Sequence, residues 1–372
     1  VSTPSLSPAD ALHLERARAL ARLGWGRVHP NPLVGCVIAI DGRVVGEGYH
    51  ETFGGPHAEI VALQAAAHRA AGATVYVTLE PCNHYGKTPP CTEALVAAGV
   101  RRVVFGARDP GKVSGGGAER LRAAGVEVVG PVWSEAEGRA ENPAFFHTAR
   151  QESPYVALKL AMSLDACLAR APGRRTRVTG EEAEREVHRL RTGFDALMVG
   201  AGTVRADDPR LTPRLASPAR ALPRRILLDS EATLPLDAAI FADREHAPVH
   251  VFVREGAAEA AIERLRAGGA HVHPVRRSES GLDLGEVLEV CWDLGVRSLL
   301  CEGGSRVAAS LLRERRVHRL YLFIAPVTFG GGGVRAFPAD AEQLSWDDFA
   351  PALPPERFGR DTLIVLDRQE DS

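Results

Sequence analysis

Apolar positions along this chain recur with two periods, and the switch between them outlines its elements. Residues 9–23 carry a helical pattern opened by Ser7-Pro8-Ala9-Asp10, an N-cap with proline at the first helical position. After His29-Pro30-Asn31-Pro32 comes an apolar strand at 33–40, then the hairpin turn Asp41-Gly42 and a return strand at 43–49. The Ala-rich stretch 57–70 lacks Gly and Pro and predicts a helix. Strands follow at 73–79, 101–106 and 126–129, with helices at 91–98 and 117–124. The polar stretch 135–153 carries no strand signal and precedes Pro154, which places a boundary there and gives domains 1–150 and 151–372.

The second half restarts with a strand at 155–162. Helices are predicted at 180–192, 256–267, 283–294 and 305–314, and strands at 195–200, 225–229, 248–253, 297–301 and 318–325. Strands alternating with helices argue for a largely parallel sheet, so the chain is α/β throughout and has two domains. It shows neither an internal repeat nor a low-complexity segment.

Composition narrows the class. With 372 residues, 45% hydrophobic and 25% charged, there is ample material for two cores. A net charge of −2 gives no basic field for nucleic acid. No apolar run approaches a membrane span, and the first residues lack the apolar centre of a signal peptide. Six cysteines, two of them in metal-ligand spacing, suit a reducing compartment, and a cytoplasmic protein is expected.

The chemistry concentrates in His57-Ala58-Glu59 and in Pro81-Cys82-Asn83-His84-Tyr85-Gly86-Lys87-Thr88-Pro89-Pro90-Cys91. One imidazole and two thiolates hold a zinc ion with its fourth position open, which is a catalytic ligand count. A water in that position is acidified towards ~7. Glu59 stands beside the first ligand as a proton shuttle, so the constellation reads as a hydrolytic deaminase of an amino-substituted ring. At the first turn of a helix, the positive end of the dipole is expected to favour an ionised Glu59. Both thiols are expected near helix N-termini. The competing reading is a structural zinc with His84 as fourth ligand, but His84 adjoins Cys82 too closely for comfortable chelation. Eight residues separate the cysteines, where the common deaminase signature has two. Lys87 in that inserted loop suggests an anionic substrate. Cys36, Cys167, Cys291 and Cys301 read as packing residues.

Two glycine-bearing turns stand at strand ends in the second half, Gly200-Ala201-Gly202-Thr203 and Glu302-Gly303-Gly304-Ser305. Free N–H groups at such helix starts suit a phosphate or a nucleotide cofactor, although neither matches the full dinucleotide fingerprint. The run Gly330 to Gly333 reads as a flexible surface loop. Asp207-Asp208-Pro209-Arg210-Leu211-Thr212 is a plausible ligand loop.

Taken together, these motifs resemble the bacterial bifunctional riboflavin-biosynthesis deaminase/reductase family over nearly the whole chain. The resemblance rests on HPNPLVGCVIAIDGRVVGEGYH, GPHAEIVAL, YVTLEPCNHYGKTPPCTEAL and ARDP in the first half. In the second it rests on LKLAMSLDACLA, VTG, LRTGFDALMVGAGTVRADDPRLT, ILLDS, CEGGSRVAASLL and YLFIAPVTFGG. It implies a cytidine-deaminase-like α/β/α domain followed by a dihydrofolate-reductase-like domain. The implied reactions are deamination of 2,5-diamino-6-ribosylamino-4(3H)-pyrimidinone 5′-phosphate and NADPH-dependent reduction of the ribosyl chain. The end product would be 5-amino-6-(5-phospho-D-ribitylamino)uracil.

Carried over residue by residue, zinc falls to His57, Cys82 and Cys91, and proton transfer to Glu59. Cofactor contacts fall to Ala161, Thr203, Asp207, Ser230 and the 304–310 stretch beginning at Gly304. Substrate contacts fall to Lys87, Arg191, Leu211, Arg214 and Glu302. A homo-oligomer is expected. Lys159 and Asp207 are weaker candidates for the chemistry of reduction. The chain departs from the family in having Asp165-Ala166 where Asp-Gly is usual, and in the basic run Arg174 to Arg177. Two rival readings are a tRNA or free-nucleobase deaminase with an accessory nucleotide-binding domain, and a regulatory binding protein with a degenerate reductase half.

Overall fold

The computed structural model describes residues 6–86, 89–214, 221–279, 281–337 and 348–369. The chain divides into two compact units, Val1–Gln151 and Glu152–Ser372. Lys87 and Thr88 lie outside the described residues.

The first unit contains α1 (Pro8–Ala21), β1 (Gly35–Ile40), β2 (Arg43–Tyr49), α2 (Ala58–Ala66), β3 (Thr74–Leu79), α3 (Cys91–Ala97), β4 (Arg102–Ala107), α4 (Gly117–Ala123) and β5 (Glu127–Val129). Its sheet runs β2-β1-β3-β4-β5. The β1–β2 and β1–β3 pairs are antiparallel, and β3, β4 and β5 run parallel. The Asp41-Gly42 turn takes positive φ at both residues, 48° and 76°, as a tight hairpin requires. All six residues of β3 are buried, so this strand is the spine on which the metal ligands are mounted.

One expectation needs correction here. The helix predicted over 57–70 is α-helical only to Ala66, because Ala67 turns to φ 51° and the chain continues as a 3-10 turn. The polar stretch 135–153, which carried no strand signal, is largely helical. It folds into α5 (Glu135–Glu141), opened by a Ser134 capping box, and α6 (Pro143–Thr148). Phe146 packs with Leu14, Leu79, Ala107 and Trp133, and the Asn142 side chain bonds both backbone groups of Leu33. A short apolar stripe inside a polar run was enough to dock both helices.

A buried ion pair ties α1 to the sheet. Arg102 donates to Asp10 Oδ1 at 2.7 Å, and Tyr76 Oη donates to the same oxygen at 2.8 Å. The Arg102 hydrogen bond holds the Asp10 carboxyl far below the usual range, against the opposing effect of burial. A depressed carboxyl pKa stabilises the fold above the unfolded pKa of ~3.9, and that contribution is lost as pH falls through the folded value. Asp10→Asn is therefore expected to cost about 2 kcal/mol at pH 7 and nearly nothing in strong acid. Denaturant titrations of both proteins from pH 7 to 2 check this. A gap that stays constant with pH would contradict it.

The second unit is built on a nine-stranded sheet. In spatial order its strands are His271–Val275, Val249–Arg254, Arg224–Leu228, Ala196–Gly200, Ser298–Cys301, Tyr155–Ser163, Arg319–Ala325, Asp361–Arg368 and Phe349–Phe358. The first seven are mutually parallel and the last two add antiparallel pairs. Sequence pattern alone did not reveal three of these strands, Asp361–Arg368 and the two at the edges. Phe349–Phe358 holds Pro351, Pro354 and Pro355, and His271–Val275 holds Pro274, residues tolerated in sheets chiefly at edges.

The run Gly330 to Gly333 also differs from the flexible loop expected. Gly330–Gly332 form a 3-10 turn whose start is pinned by Asp165, which accepts from Phe329 N at 3.1 Å and from Gly330 N at 2.7 Å. The neighbouring Ala166 sits at φ 55°, a left-handed conformation that costs an L-residue roughly 1–2 kcal/mol. That is the local consequence of alanine in place of glycine there.

Candidate functional site

In the first unit, His57 is the N-cap of α2, with extended backbone (φ −72°, ψ 160°) and no capping bond from its own side chain. Its ring is therefore free to point at the thiols. Gly46 and Gly48 on β2 fix the height of α2. A Cβ at Gly48 would lie 2.5 Å from Ala62 N, and one at Gly46 would lie 2.4 Å from Ala62 O. Only glycine lets helix and strand approach this closely. Cys82 follows β3 in the loop, and Cys91 is the first residue of α3, whose backbone N–H donates to Cys82 Sγ at 3.4 Å. The expectation that both thiols meet a helix start holds in this form.

The three ligand atoms lie within 4.8 Å of one another, and His57 Nδ1 stands 3.3 Å from Cys91 Sγ and 3.4 Å from Cys82 Sγ. Zinc bonds of ~2.0 and ~2.3 Å at a tetrahedral angle would place N and S about 3.5 Å apart, so the donor set fits zinc. Among the described residues, His84 does not join this group, and its Nδ1 is buried without a hydrogen-bond partner.

Hydrogen bonding from Cys91 pulls the Cys82 thiol down to about 4, while Cys82 and burial push the Cys91 thiol up. Glu59, 4% exposed, hydrogen-bonds with the Cys91 thiol. Burial, followed by the charge on Cys82, pushes its carboxyl up to about 7. Desolvation thus opposes the ionised form that the helix dipole favours. A carboxyl balanced near neutrality is suited to both accepting and returning a proton.

Sequence reading missed two neighbours of this centre. His50 stacks edge-on against His57 with ring centroids 5.6 Å apart, and its Nδ1 lies 2.9 Å from Pro56 O. Its Nε2 lies 3.1 Å from Asn31 Nδ2. Burial pushes His50 below its ordinary value, so it is neutral beside the ligands. The available signal was two polar residues bracketing an apolar hairpin, a pattern too common to single them out.

The second unit carries a cavity of about 1560 Å³ at the carboxyl ends of its central parallel strands. That exceeds the ~300–1,000 Å³ usual for one small ligand and leaves room for a cofactor together with a substrate. Its walls include Ala161, Thr203, Asp207, Ser230, Gly304, Arg191, Leu211, Arg214 and Glu302, so the predicted contacts of this half converge in one place. The two glycine turns lie side by side on neighbouring strands, with Gly200 N bonded to Gly303 O at 3.4 Å. Gly304 takes φ 59°, and a Cβ there would press on Thr203 Oγ1 at 3.0 Å. The helix Ser305–Arg313 starts at this point and offers free N–H groups to an anion. Arg174, Arg175 and Arg177 line the same cavity, and Arg177 is paired with Glu184 at 2.8 Å.

Glu302 is the electrostatic centre of the cavity wall. Arg191 grips it with two bonds of 2.5 and 3.0 Å, and Lys159 Nζ lies 3.7 Å away. Burial raises the Glu302 carboxyl, but Arg191 and Lys159 outweigh it and hold it at about 2. Burial in turn lowers the Lys159 ammonium and raises the Asp207 carboxyl.

Comparison with known proteins matches both units. Residues 8–107 match the cytidine and deoxycytidylate deaminase zinc-binding region, and residues 154–349 match the RibD C-terminal domain. The riboflavin biosynthesis protein RibD of Aquifex aeolicus is 42% identical over 87% of this chain and 88% of its own length. That of Actinobacillus pleuropneumoniae is 40% identical over 95% and 94%. Among solved structures, Acinetobacter baumannii RibD (form 1) superposes with TM-score 0.80 at 33% identity, covering 97% of this chain and 99% of its own. The Thermotoga maritima diaminohydroxyphosphoribosylaminopyrimidine deaminase/5-amino-6-(5-phosphoribosylamino)uracil reductase gives TM-score 0.79 at 33% identity with the same coverage.

Proposed function

Since the chain belongs to the RibD family, we propose a division of its two reactions along the sequence, residues 1–150 deaminating and residues 151–372 reducing. The protein is a bifunctional deaminase and reductase of riboflavin biosynthesis that uses zinc and NADPH. Its substrate is a small phosphorylated pyrimidine, 2,5-diamino-6-ribosylamino-4(3H)-pyrimidinone 5′-phosphate. The observation that carries this reading is the convergence of His57, Cys82 and Cys91 beside a buried Glu59.

In the deaminase, His57, Cys82 and Cys91 would hold the metal. Bound zinc supplies a Lewis acid that makes water nucleophilic at neutral pH. Glu59 takes the proton released as water adds to the amino-bearing ring carbon and delivers it to the amino nitrogen. The C–N bond then breaks, ammonia departs, and the ring carbon keeps the oxygen. Lys87 is the residue we assign to the substrate phosphate in this half.

In the reductase, Ala161, Thr203, Asp207, Ser230 and Gly304 would hold the cofactor. Bound NADPH supplies the hydride. Arg191, Leu211, Arg214 and Glu302 would hold the ribosyl phosphate in the same cavity, and positioning accounts for most of the rate. Glu302 remains ionised and braces Arg191 and Lys159. We further propose a cytoplasmic homo-oligomer. The buried free cysteines suit a reducing compartment, and among the described residues no helix is long and apolar enough to cross a membrane.

Stripping the metal tests the division. A chelator is expected to abolish ammonia release while NADPH-dependent reduction of supplied deaminated intermediate persists, and added zinc is expected to restore the first step. Loss of both activities together, or deamination that survives stripping, would overturn it.

A further inference from the structure

His188 took no part in the sequence reading, yet it stands in the cavity wall between two of the arginines. It projects from the helix Glu181–Thr192, and its contacts define its protonation. The Arg214 backbone N–H donates to His188 Nδ1 at 3.2 Å. A backbone N–H can only donate, so Nδ1 is the acceptor and a neutral ring carries its proton on Nε2. Burial, then the charges of Arg191 and Arg214, press the imidazole down to about 4, with Glu302 the only opposing charge of weight. The ring is neutral throughout the physiological range.

That tautomer creates a conflict on the other side of the ring. His188 Nε2 lies 3.1 Å from Arg214 Nη2, and a guanidinium has no acceptor. Two donors therefore face each other at hydrogen-bond distance. The nearby carboxylate, Glu302, is already held by Arg191 and Lys159, and among the described residues no carboxylate pairs with Arg214. The loop that presents Arg214 is also held in place at a cost: Asp208 and buried Leu211 both take left-handed backbone, φ 43° and 51°. Strain of this kind persists where surrounding structure imposes it, and it clusters at ligand clamps.

We propose that His188 Nε2–H and the Arg214 guanidinium form a two-donor seat for a phosphate oxygen of the substrate, which makes His188 a further substrate-binding residue of the reduction. One acceptor oxygen turns a donor–donor contact into two hydrogen bonds, one of them charge-assisted. The same helix carries Arg191, so His188 joins the helix and the 208–214 loop into a single anion-binding wall. This rests on the reading of Arg214 as a substrate contact.

The test is steady-state reduction of the deaminated intermediate by NADPH, with the phosphorylated substrate and with its dephosphorylated form. Variants H188L, H188Q and R214A are compared with the parent protein. H188L is expected to raise KM for the phosphorylated substrate about 10-fold or more, with kcat within about twofold and KM for NADPH unmoved. The penalty should vanish with the dephosphorylated substrate. H188Q, whose amide can accept from the Arg214 N–H and still donate, should recover most of the loss. Equal losses on both substrates, a rise in KM for NADPH instead, or failure of Gln to rescue would each overturn the proposal. If R214A does not weaken discrimination for phosphate, the assignment of Arg214 itself is what fails. If R214A weakens it and H188L does not, Arg214 stands and His188 falls.

Discussion

Glu59→Gln is expected to cut ammonia release by about 10²–10⁴-fold, the usual contribution of one positioned acid–base group. The protein should still bind one zinc per chain and still reduce the deaminated intermediate at the parental rate. Glutamine keeps the size of the buried side chain and its hydrogen bonding to Cys91 but cannot carry a proton. The ligand atoms of His57, Cys82 and Cys91 are untouched. Among the described residues, those lining the reductive cavity run from Lys159 to Val334 in the second unit, so the cavity has no reason to respond. Metal analysis and separate assays of the two half-reactions check all three statements. A loss of zinc alongside the loss of rate would make Glu59 a support for the metal site rather than the proton carrier. A loss under tenfold would remove it from the chemistry.

The second large effect concerns stability. Arg225 is fully buried in the strand Arg224–Leu228, and among the described residues its guanidinium meets carbonyls rather than a carboxylate. It donates to Ile240 O and Ala242 O at 2.6 Å each, and to Ala247 O through both Nε and Nη2. Burial lowers its pKa to about 10 against the opposing charge of Asp243, so it stays charged and its hydrogen bonds all go to carbonyl dipoles. Arg225→Met keeps most of the volume but orphans acceptors on the segment 240–247. At roughly 1–3 kcal/mol for each unsatisfied group, with some relief from water, the expected cost is about 3–5 kcal/mol. For a unit of this size that lowers the melting temperature by about 10 °C or more. Thermal unfolding measures it directly. A shift under about 2 °C would mean that the three carbonyls find other donors.

The metal centre was the most legible part of the sequence, because a ligand set is written in residue types and spacing. His57, Cys82, Cys91 and Glu59 needed only the prediction that a helix starts after Pro56 and that a buried strand ends before Cys82. The order of the central elements in both halves was legible for the same reason, since buried parallel strands such as Ala196–Gly200 and Ser298–Cys301 are continuous apolar runs.

What escaped was tertiary in origin. The strand Phe349–Phe358 reads as a proline-broken loop until a sheet edge accepts it. The helices at 135–148 read only as a polar stretch without a strand signal until Phe146 packs beside Trp133. The helix dipole that favours an ionised Glu59 is visible in sequence, whereas the burial that opposes it is not. His188 was invisible because its role depends on a hydrogen bond from a backbone 26 residues away.

The central claim is that one chain performs deamination and then reduction. It is tested most directly by giving the zinc-loaded protein the diaminopyrimidine ribosylamino phosphate with and without NADPH. One equivalent of ammonia should appear per substrate even without NADPH. When NADPH is present, one equivalent should be oxidised per deaminated molecule, after ammonia release has begun. Ammonia without any NADPH oxidation, or NADPH oxidation that precedes or bypasses ammonia release, would contradict the account.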